Sequence, residues 1–505
     1  MILALQQAYS YQDAQTIWEA LRVWLNTEPV PGWRFGPFWS NALMLVTALV
    51  FIFLLELLLT IGIQIWERRV LGRIQSRRGP NFLGQVTTRQ LRGFMIPIIA
   101  LLAIPAILYG LEYWTPLFWP GRTLTIVTAA CTFLAFGIYL VYMFGYYWRQ
   151  GLADALKIFA KEDVVPLNAD RFLFTLAPVL VYLPALLSWI VIPFGVAIIG
   201  GHYCYYMVQD LNVGLLLIIA DFALFLVAII MSGYASNNKY ALVGAMREAA
   251  MLLTYEVPML MSLLCVALFA GSLNLTEIVE RQSMTWAALP LLPAFVIYFV
   301  IALAETNRPP FDLPEAQNEL LGGYLVEYSG LRFALFYVAE YSNVFIVSAI
   351  MTVCFLGGWK GPMFLGPDGL WLTSLFWFLL KTYGLVYFFI WARATMPRIR
   401  IDQIMFFSWK FLLPASVIAL AITALGVVNR HPWFNANRIW DYEGYNYTVV
   451  TTKEALTMLT AGERAFFWGY TVLTVLFAMF LIWLAWRVLF IRRRHPLKRR
   501  EVTWS

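Results

Sequence analysis

The sequence predicts an all-α integral membrane protein, and three observations carry that prediction. Of its 505 residues, 61% are hydrophobic and only 13% are charged, with a mean hydropathy of +0.70. A soluble domain carries roughly 25% charged and about 45–50% apolar residues. The apolar residues fall in runs of about 20, the length that crosses a bilayer. Lys and Arg concentrate in alternate segments between those runs, as charge-sorted topology requires.

Eleven runs qualify, at about 41–66, 93–113, 123–146, 172–200, 213–232, 250–271, 286–304, 334–356, 371–392, 408–428 and 465–489. Within lipid each must be a helix, because no water is present to satisfy the backbone. One set of alternate connecting segments holds 25 Lys and Arg and the other set holds 9. The positive-inside rule therefore puts the N-terminus outside and the C-terminus inside. Residues 1–40 lack the basic start of a signal peptide, so no cleavage is expected. Ile17, Ala20, Leu21, Trp24 and Leu25 share one helical face there, which predicts a short helix at the outer interface. The basic tail Arg492-Arg493-Arg494 with Lys498-Arg499-Arg500 reads as a stop-transfer anchor near anionic lipid.

The scarce residue types exclude several chemistries. Cys131, Cys204, Cys265 and Cys354 are far apart, with no C-x-x-C spacing for a cluster or structural zinc. His202, His431 and His495 all lie outside the spans, so haem ligation inside a bundle fails. There is no phosphate-binding G-x-x-x-x-G-K-[ST]. The net charge of +7 is topological rather than a nucleic-acid footprint. Lys381, within a span, raises a retinal-type Schiff base, but the seven-helix architecture that chemistry uses is missing.

Three connecting segments carry more than anchoring. Residues 67–84 set Arg68, Arg69, Arg73, Arg77 and Arg78 around Glu67, with a turn at Gly79-Pro80. Arginines alone would serve as an anchor, whereas Glu67 and the glycines suggest a structured loop with an internal ion pair. Residues 150–163 form a short amphipathic helix with Leu152, Leu156 and Phe159 on one stripe. Residues 304–330 bring Glu305, Asp312, Glu315, Glu319 and Glu327 against Arg308 alone. Carboxylates crowded in a partly dry site trade protons near neutral pH; the competing reading is a polar loop docking a basic partner. Glu56, Asp221, Glu256 and Glu340 lie inside spans, where a charge costs about 2.5–3.5 kcal/mol on insertion scales. Singly, each could be a neutral hydrogen-bonded acid; as a set they favour a proton route.

These segments resemble the quinone-proximal membrane subunit of respiratory complex I, the H subunit in bacteria and subunit 1 in mitochondria. The strings are E-R-R-V-L-G-R-I-Q-S-R-R-G-P-N (67–81), L-A-D-A-L-K-I-F-A-K-E-D (152–163), A-D-R-F-L-F-T-L-A-P-V-L (169–180) and S-N-N-K-Y-A-L-V-G-A-M-R (236–247), running to Y-E-V. G-S-L-N-L-T-E-I-V (271–279), the 304–330 segment, A-E-Y (339–341) and P-R-I-R-I-D-Q-I-M (397–405) complete the set. They cover most of 41–428 in family order.

The resemblance implies an eight-helix family core over 41–428, interrupted by an 85–150 insertion with two spans. A 429–505 extension adds an eleventh span, and 1–40 precede the core. The family's activity is that of a proton-translocating NADH-quinone oxidoreductase, in which this chain alone holds no complete active site. Ubiquinone or menaquinone would be the substrate, with no haem, iron–sulfur cluster or flavin on this chain. By position, Glu67, Arg68, Arg77, Asp312, Arg393, Arg398 and Arg400 would line the quinone tunnel. Glu256, Glu305, Glu315, Glu319, Glu327 and Glu340 would form the proton path. Partners would be the hydrophilic quinone-site and iron–sulfur subunits and the small and antiporter-like membrane subunits, in a bacterial inner membrane or the mitochondrial one. Gln317 stands where the family often has a glutamate, and Glu56 and Asp221 are acids the resemblance does not account for. Two rivals remain open. One is the equivalent component of a membrane-bound hydrogenase, or of an F420H2- or ferredoxin-linked relative. The other is a stand-alone proton-coupled transporter, which predicts an internal repeat that the sequence lacks.

Overall fold

The computed structural model describes residues 37–77, 79, 149–199, 202–282, 286–312, 322–362, 370–428 and 461–490. The expected interface helix at 17–25, the spans at 93–113 and 123–146 and the basic tail lie outside them. The described helices are α1 Pro37–Ile74, α2 Arg149–Ala160, α3 Arg171–Val191, α4 Gly214–Ala235, α5 Lys239–Ala270, α6 Leu275–Arg281 and α7 Leu292–Glu305. Then come α8 Gly330–Phe355, α9 Leu370–Thr395, α10 Ile401–Val428 and α11 Ala461–Phe490. Among the described residues six helices, α3, α4, α5, α8, α9 and α10, are long and apolar enough to cross a membrane. The all-α membrane class is therefore met.

Helix α8 is the hub. Every residue from Tyr341 to Phe355 is buried, and 89% of its most apolar stretch is covered, against 33% for α9 and α10. An all-round apolar helix of this kind belongs at the centre of a bundle. Helices α1, α3, α7 and α9 pack directly against it. Trp189 of α3 fixes one side, stacked on Phe345 at 4.8 Å with its Nε1–H donated to Ser342 Oγ at 3.0 Å. Outward-facing Leu216, Leu224 and Val227 of α4 and Leu253, Val257 and Leu260 of α5 are exposed, the apolar surface that lipid or a neighbouring subunit covers.

Helix limits follow local chemistry. Asp170 caps α3, accepting from Phe172 N at 3.1 Å and Leu173 N at 3.4 Å. Asn238 caps α5 by accepting from Tyr240 N at 2.9 Å, and Gly271 ends it in the left-handed region at φ +69°. At the far end of α8, Lys381 Nζ donates to the carbonyls of Leu356, Gly358 and Lys360 at 2.7, 3.0 and 2.6 Å. That lysine thus closes the carbonyl end of the hub helix, where a cation is favoured. In the connection beyond it, desolvation pushes the Lys360 ammonium down to about 8.

Several sequence-read boundaries are corrected. The run at 172–200 is not one helix: α3 stops at Val191, and Val196–Ile199 pairs antiparallel with His202–Tyr205. Pro193 and Gly195 break the helix, and Val and Ile suit a strand, so an apolar run alone did not distinguish the two. Ser374 Oγ ties the hairpin to α9 through Val196 N and O at 3.1 and 2.9 Å. Helix α7 is only 14 residues, starting at Leu292 rather than 286. Helix α5 begins at Lys239, not 250, and α10 at Ile401, with a π turn at Ser408–Leu412. The amphipathic helix expected near 150–163 is α2. The helix expected at 465–489 is α11, which packs on α7 and donates from Tyr470 Oη to Pro290 O at 3.3 Å.

Gly244 of α5 lets the backbone of the 322–328 segment lie directly on the helix, since a Cβ there would meet Gly323 Cα at 2.6 Å. Gly244→Val is expected to overpack this contact at a cost of about 1–3 kcal/mol. The check is a lowered thermal midpoint of the detergent-solubilised protein, with Gly384→Val, where nothing lies within 4 Å, as the tolerated control.

Candidate functional site: a buried arginine between two glutamates

The site forms where the chain leaves α7. Asn307 adopts φ +50°, a left-handed conformation that asparagine tolerates, and this turns Arg308 back into the bundle. The Arg308 side chain is fully buried. Its Nη1 lies 3.0 Å from Glu67 Oε2, its Nε 4.0 Å from Glu340 Oε1, and its guanidinium carbon 4.9 Å above the Tyr341 ring. Glu67 is also buried and accepts from Arg393 Nη1 on its other oxygen. Four elements thus contribute one chain of charges: α9 through Arg393, α1 through Glu67, the 306–312 turn through Arg308, and α8 through Glu340. The set is formally neutral, which is the condition for keeping charges out of water.

A second pair closes the turn. Arg398 Nη2 donates to Asp312 Oδ2 at 2.7 Å, and Ile399 N donates to Pro310 O at 3.0 Å. Phe311 packs edge-on against Tyr255 at 5.6 Å. Asn307 Nδ2 donates to Glu248 Oε1, and Glu248 is wholly buried on α5. Glu305, the last residue of α7, is buried within electrostatic reach of half-buried Glu256.

Of the sequence-read tunnel residues, the structure brings Glu67 and Arg393 together and pairs Asp312 with Arg398. Arg68 instead pairs with Asp154 of α2 at 2.8 Å on the exposed side. Arg77 is exposed and donates to Gln75 at 2.7 Å. Arg400 is exposed at the start of α10, where its N–H donates to Gln403 Oε1 at 3.4 Å. Of the acidic set, Glu340 joins Arg308 and Glu256 faces Glu305. Glu327 stands apart, accepting from Asn238 Nδ2 at 2.6 Å, while burial pushes the neighbouring Tyr328 phenol up. Glu315 and Glu319 lie outside the described residues. Among the described residues no three His, Cys, Asp or Glu side chains stand where they could share a metal ion.

Sequence reasoning missed two residues. In the sequence Arg308 stands as the lone cation of an acidic loop, with nothing to mark it as its centre. Glu248, beside Arg247, reads as an ordinary charge at the interface. The available signal was its spacing to Leu252, Tyr255 and Met259, which puts a carboxylate on the buried face of α5.

Removing one partner of a buried ion pair leaves an uncompensated charge, a cost of about 3–5 kcal/mol. Arg308→Met is expected to destabilise the protein by that order, and Arg308→Met with Glu67→Gln by less than the sum of the two single changes. Thermal unfolding of the four proteins in a double-mutant cycle checks the coupling.

Residues 136–424 match the family described as NADH dehydrogenase. Curated relatives named as the H subunit of NADH-quinone oxidoreductase include that of Rhodospirillum centenum, 45% identical over 284 residues, which is 56% of this chain and 82% of the relative. That of Rhodospirillum rubrum is 45% identical over 276 residues, 54% of this chain and 79% of the relative. That of Geobacillus thermodenitrificans is 46% identical over 276 residues, 55% and 80%. The matched stretch contains α2 to α9, the 306–312 turn, and Glu340, Arg393 and Arg398, while Glu67 precedes it. With more than half of the chain matched, and four-fifths of such relatives covered, this chain belongs to the NADH dehydrogenase family, as a membrane component of NADH-quinone oxidoreductase of the H-subunit type.

Proposed function

We propose that this chain is the quinone-proximal subunit of a proton-pumping NADH-quinone oxidoreductase, and that it couples quinone reduction to proton movement. The observation that carries the reading is Arg308. One fully buried guanidinium lies between Glu67, a tunnel residue, and Glu340, a proton-path residue. A change of charge on one side therefore acts on the other across a single side chain.

Glu67, Asp312, Arg393 and Arg398 form the deep part of the quinone site, and Arg68, Arg77 and Arg400 its exposed rim. The substrate is ubiquinone or menaquinone, whose carbonyl oxygens accept from a guanidinium. Reduction adds two electrons and two protons to give the quinol. While negative charge is present on the headgroup, it competes with Glu67 and Asp312 for Arg393 and Arg398. Glu67 then draws more strongly on Arg308, which loosens the hold on Glu340 and lets that carboxylate take a proton. Glu256, Glu305, Glu315, Glu319 and Glu327 extend the path from there. The work is electrostatic and positional; the iron–sulfur cluster that delivers electrons belongs to a partner.

The partners in this reading are hydrophilic quinone-site and iron–sulfur subunits and small and antiporter-like membrane subunits, in a bacterial inner membrane. The N-terminus is outside and the arginine-rich end faces the cytoplasm, in keeping with the charge bias between loops. Residues 85–150 and 429–505 are additions to an eight-helix core.

Mass spectrometry of the complex that co-purifies after mild detergent extraction is expected to find those partner classes; a nickel–iron hydrogenase large subunit, or isolation as a lone chain, would overturn the reading. In the reconstituted complex, Glu305→Gln and Glu340→Gln are expected to lower the proton-to-electron ratio while the complex stays assembled. An unchanged ratio and turnover in both would sink the proton-path assignment. Arg398→Met is expected to raise KM for quinone by about tenfold or more, as loss of one charge-assisted hydrogen bond predicts.

A further inference from the structure

Two buried carboxylates belong to neither set. Glu56 of α1 is fully buried three turns from Glu67 on the same helix face. Its Oε2 accepts from Tyr182 Oη at 2.5 Å, and the Ser342 hydroxyl is its other polar neighbour. Asp221 of α4 is 2% exposed and accepts from Ser188 Oγ at 2.9 Å. Among the described residues neither has an ion-pair partner. Their partners are hydroxyls, which donate and accept equally well and so serve a carboxylic acid as readily as a carboxylate. Glu67 is the contrast: two arginines pair with it.

Position gives these acids an order. Tyr182 lies eleven residues into α3 from Arg171 and Ser342 twelve into α8 from Gly330, about 16 and 18 Å from the arginine-bearing end. Glu56 is therefore near the middle of the bundle. Ser342 directly follows Glu340 and Tyr341, the two α8 residues that touch Arg308. Trp189 donates to Ser342 Oγ, which leaves the Ser342 hydrogen free to turn to Glu56. Ser188 is the residue before Trp189, about 25 Å along α3, and Asp221 lies only about 10 Å from the opposite end of α4 at Gly214. Ser188 lies six positions beyond Tyr182, about 9 Å further along the helix axis.

We propose that Glu56 and Asp221 are two proton-binding stations of a second route, running from the Arg308 cluster along α3 toward the opposite membrane face, so that this chain itself carries protons across the bilayer. In each passage a proton leaves the Glu340 side for Glu56, the proton held on Glu56 moves to Asp221, and the one on Asp221 leaves at the far end. The count of protons on the chain is restored, and one has crossed. The route rests on the proposed quinone reading for its driving force, but its stations are defined without it. Tyr182 and Ser188 are positioning residues for the two acids.

The test uses the intact complex in proteoliposomes with Glu56→Gln and Asp221→Asn. Electron transfer to quinone is expected to persist with fewer protons translocated per electron. In reduced-minus-oxidised infrared spectra each variant is expected to lose one protonated-carboxyl C=O band. Where Glu56→Gln fails to assemble, Tyr182→Phe keeps the carboxyl and removes its donor, and the Glu56 band is expected to shift. An unaltered proton-to-electron ratio together with an intact set of carboxyl bands overturns the route. Absence of quinone reduction in the unaltered complex would instead overturn the quinone reading, and the infrared bands, obtained with whichever donor reduces the complex, still decide the two stations.

Discussion

A guanidinium buried between two carboxylates is the constraint on which the rest of this structure turns. Taking Arg308 and Glu67 out of water is costly, and the cost is offset only while they stay paired with each other and with the half-buried Glu340 and Arg393. Four separate stretches of chain must therefore meet at one point: the end of α1, the turn after α7, the middle of α8 and the end of α9. Apolar packing in a membrane interior does not by itself fix register, because lipid is as apolar as a leucine side chain. A charge cluster does, since sliding any one helix by a turn strands a charge. The fully buried stretch of α8 and the Lys381 closure of its far end form the rigid post against which this cluster is set.

The turn that delivers Arg308 is held by α5 on one side and by the connection after α9 on the other. Asn307 reaches Glu248 on α5, Phe311 rests on Tyr255, Pro310 accepts from Ile399, and Asp312 accepts from Arg398. A connecting segment is ordinarily the most mobile part of a fold. Here the connection is instead pinned through its own side chains and backbone. Arg393 and Arg398 flank the end of α9 and grip the two carboxylates Glu67 and Asp312, so one short stretch of chain sets the geometry of both ion pairs.

How much of this was legible in the sequence depended on which physical signal was at stake. Composition and run length gave the membrane class, because burial in lipid constrains every residue of a span. The motif strings at 67–81, 304–330 and 397–405 pointed to the segments that do meet, and an ion pair inside the 67–84 loop was expected of Glu67. Its actual partners, Arg308 and Arg393, are 241 and 326 residues away. Sequence spacing carries no information on contacts of that range. The strand Val196–Ile199 reads as helix in the sequence because it continues the apolar run from 172, and a short apolar stretch has no distinguishing period when both faces are buried. Glu248 was hidden for a different reason: next to Arg247 it resembles an ordinary interfacial charge, and only the face it shares with Tyr255 and Met259 separates it from one.

Two glutamates on one face of α1 sit in contrasting surroundings. Glu67 sits where two guanidinium groups reach it, and the ion pairs are part of the architecture. Glu56, three turns away, has the hydroxyls of Tyr182 and Ser342 as its polar neighbours among the described residues. Moving a guanidinium to Glu56 would turn it into a second Glu67 and fix its charge, and moving hydroxyls to Glu67 would leave Arg308 unbalanced. Since Ser342 sits beside the residues that contact Arg308, the two environments adjoin along α8 without merging. The choice of arginine or hydroxyl as partner thus assigns each carboxylate its role.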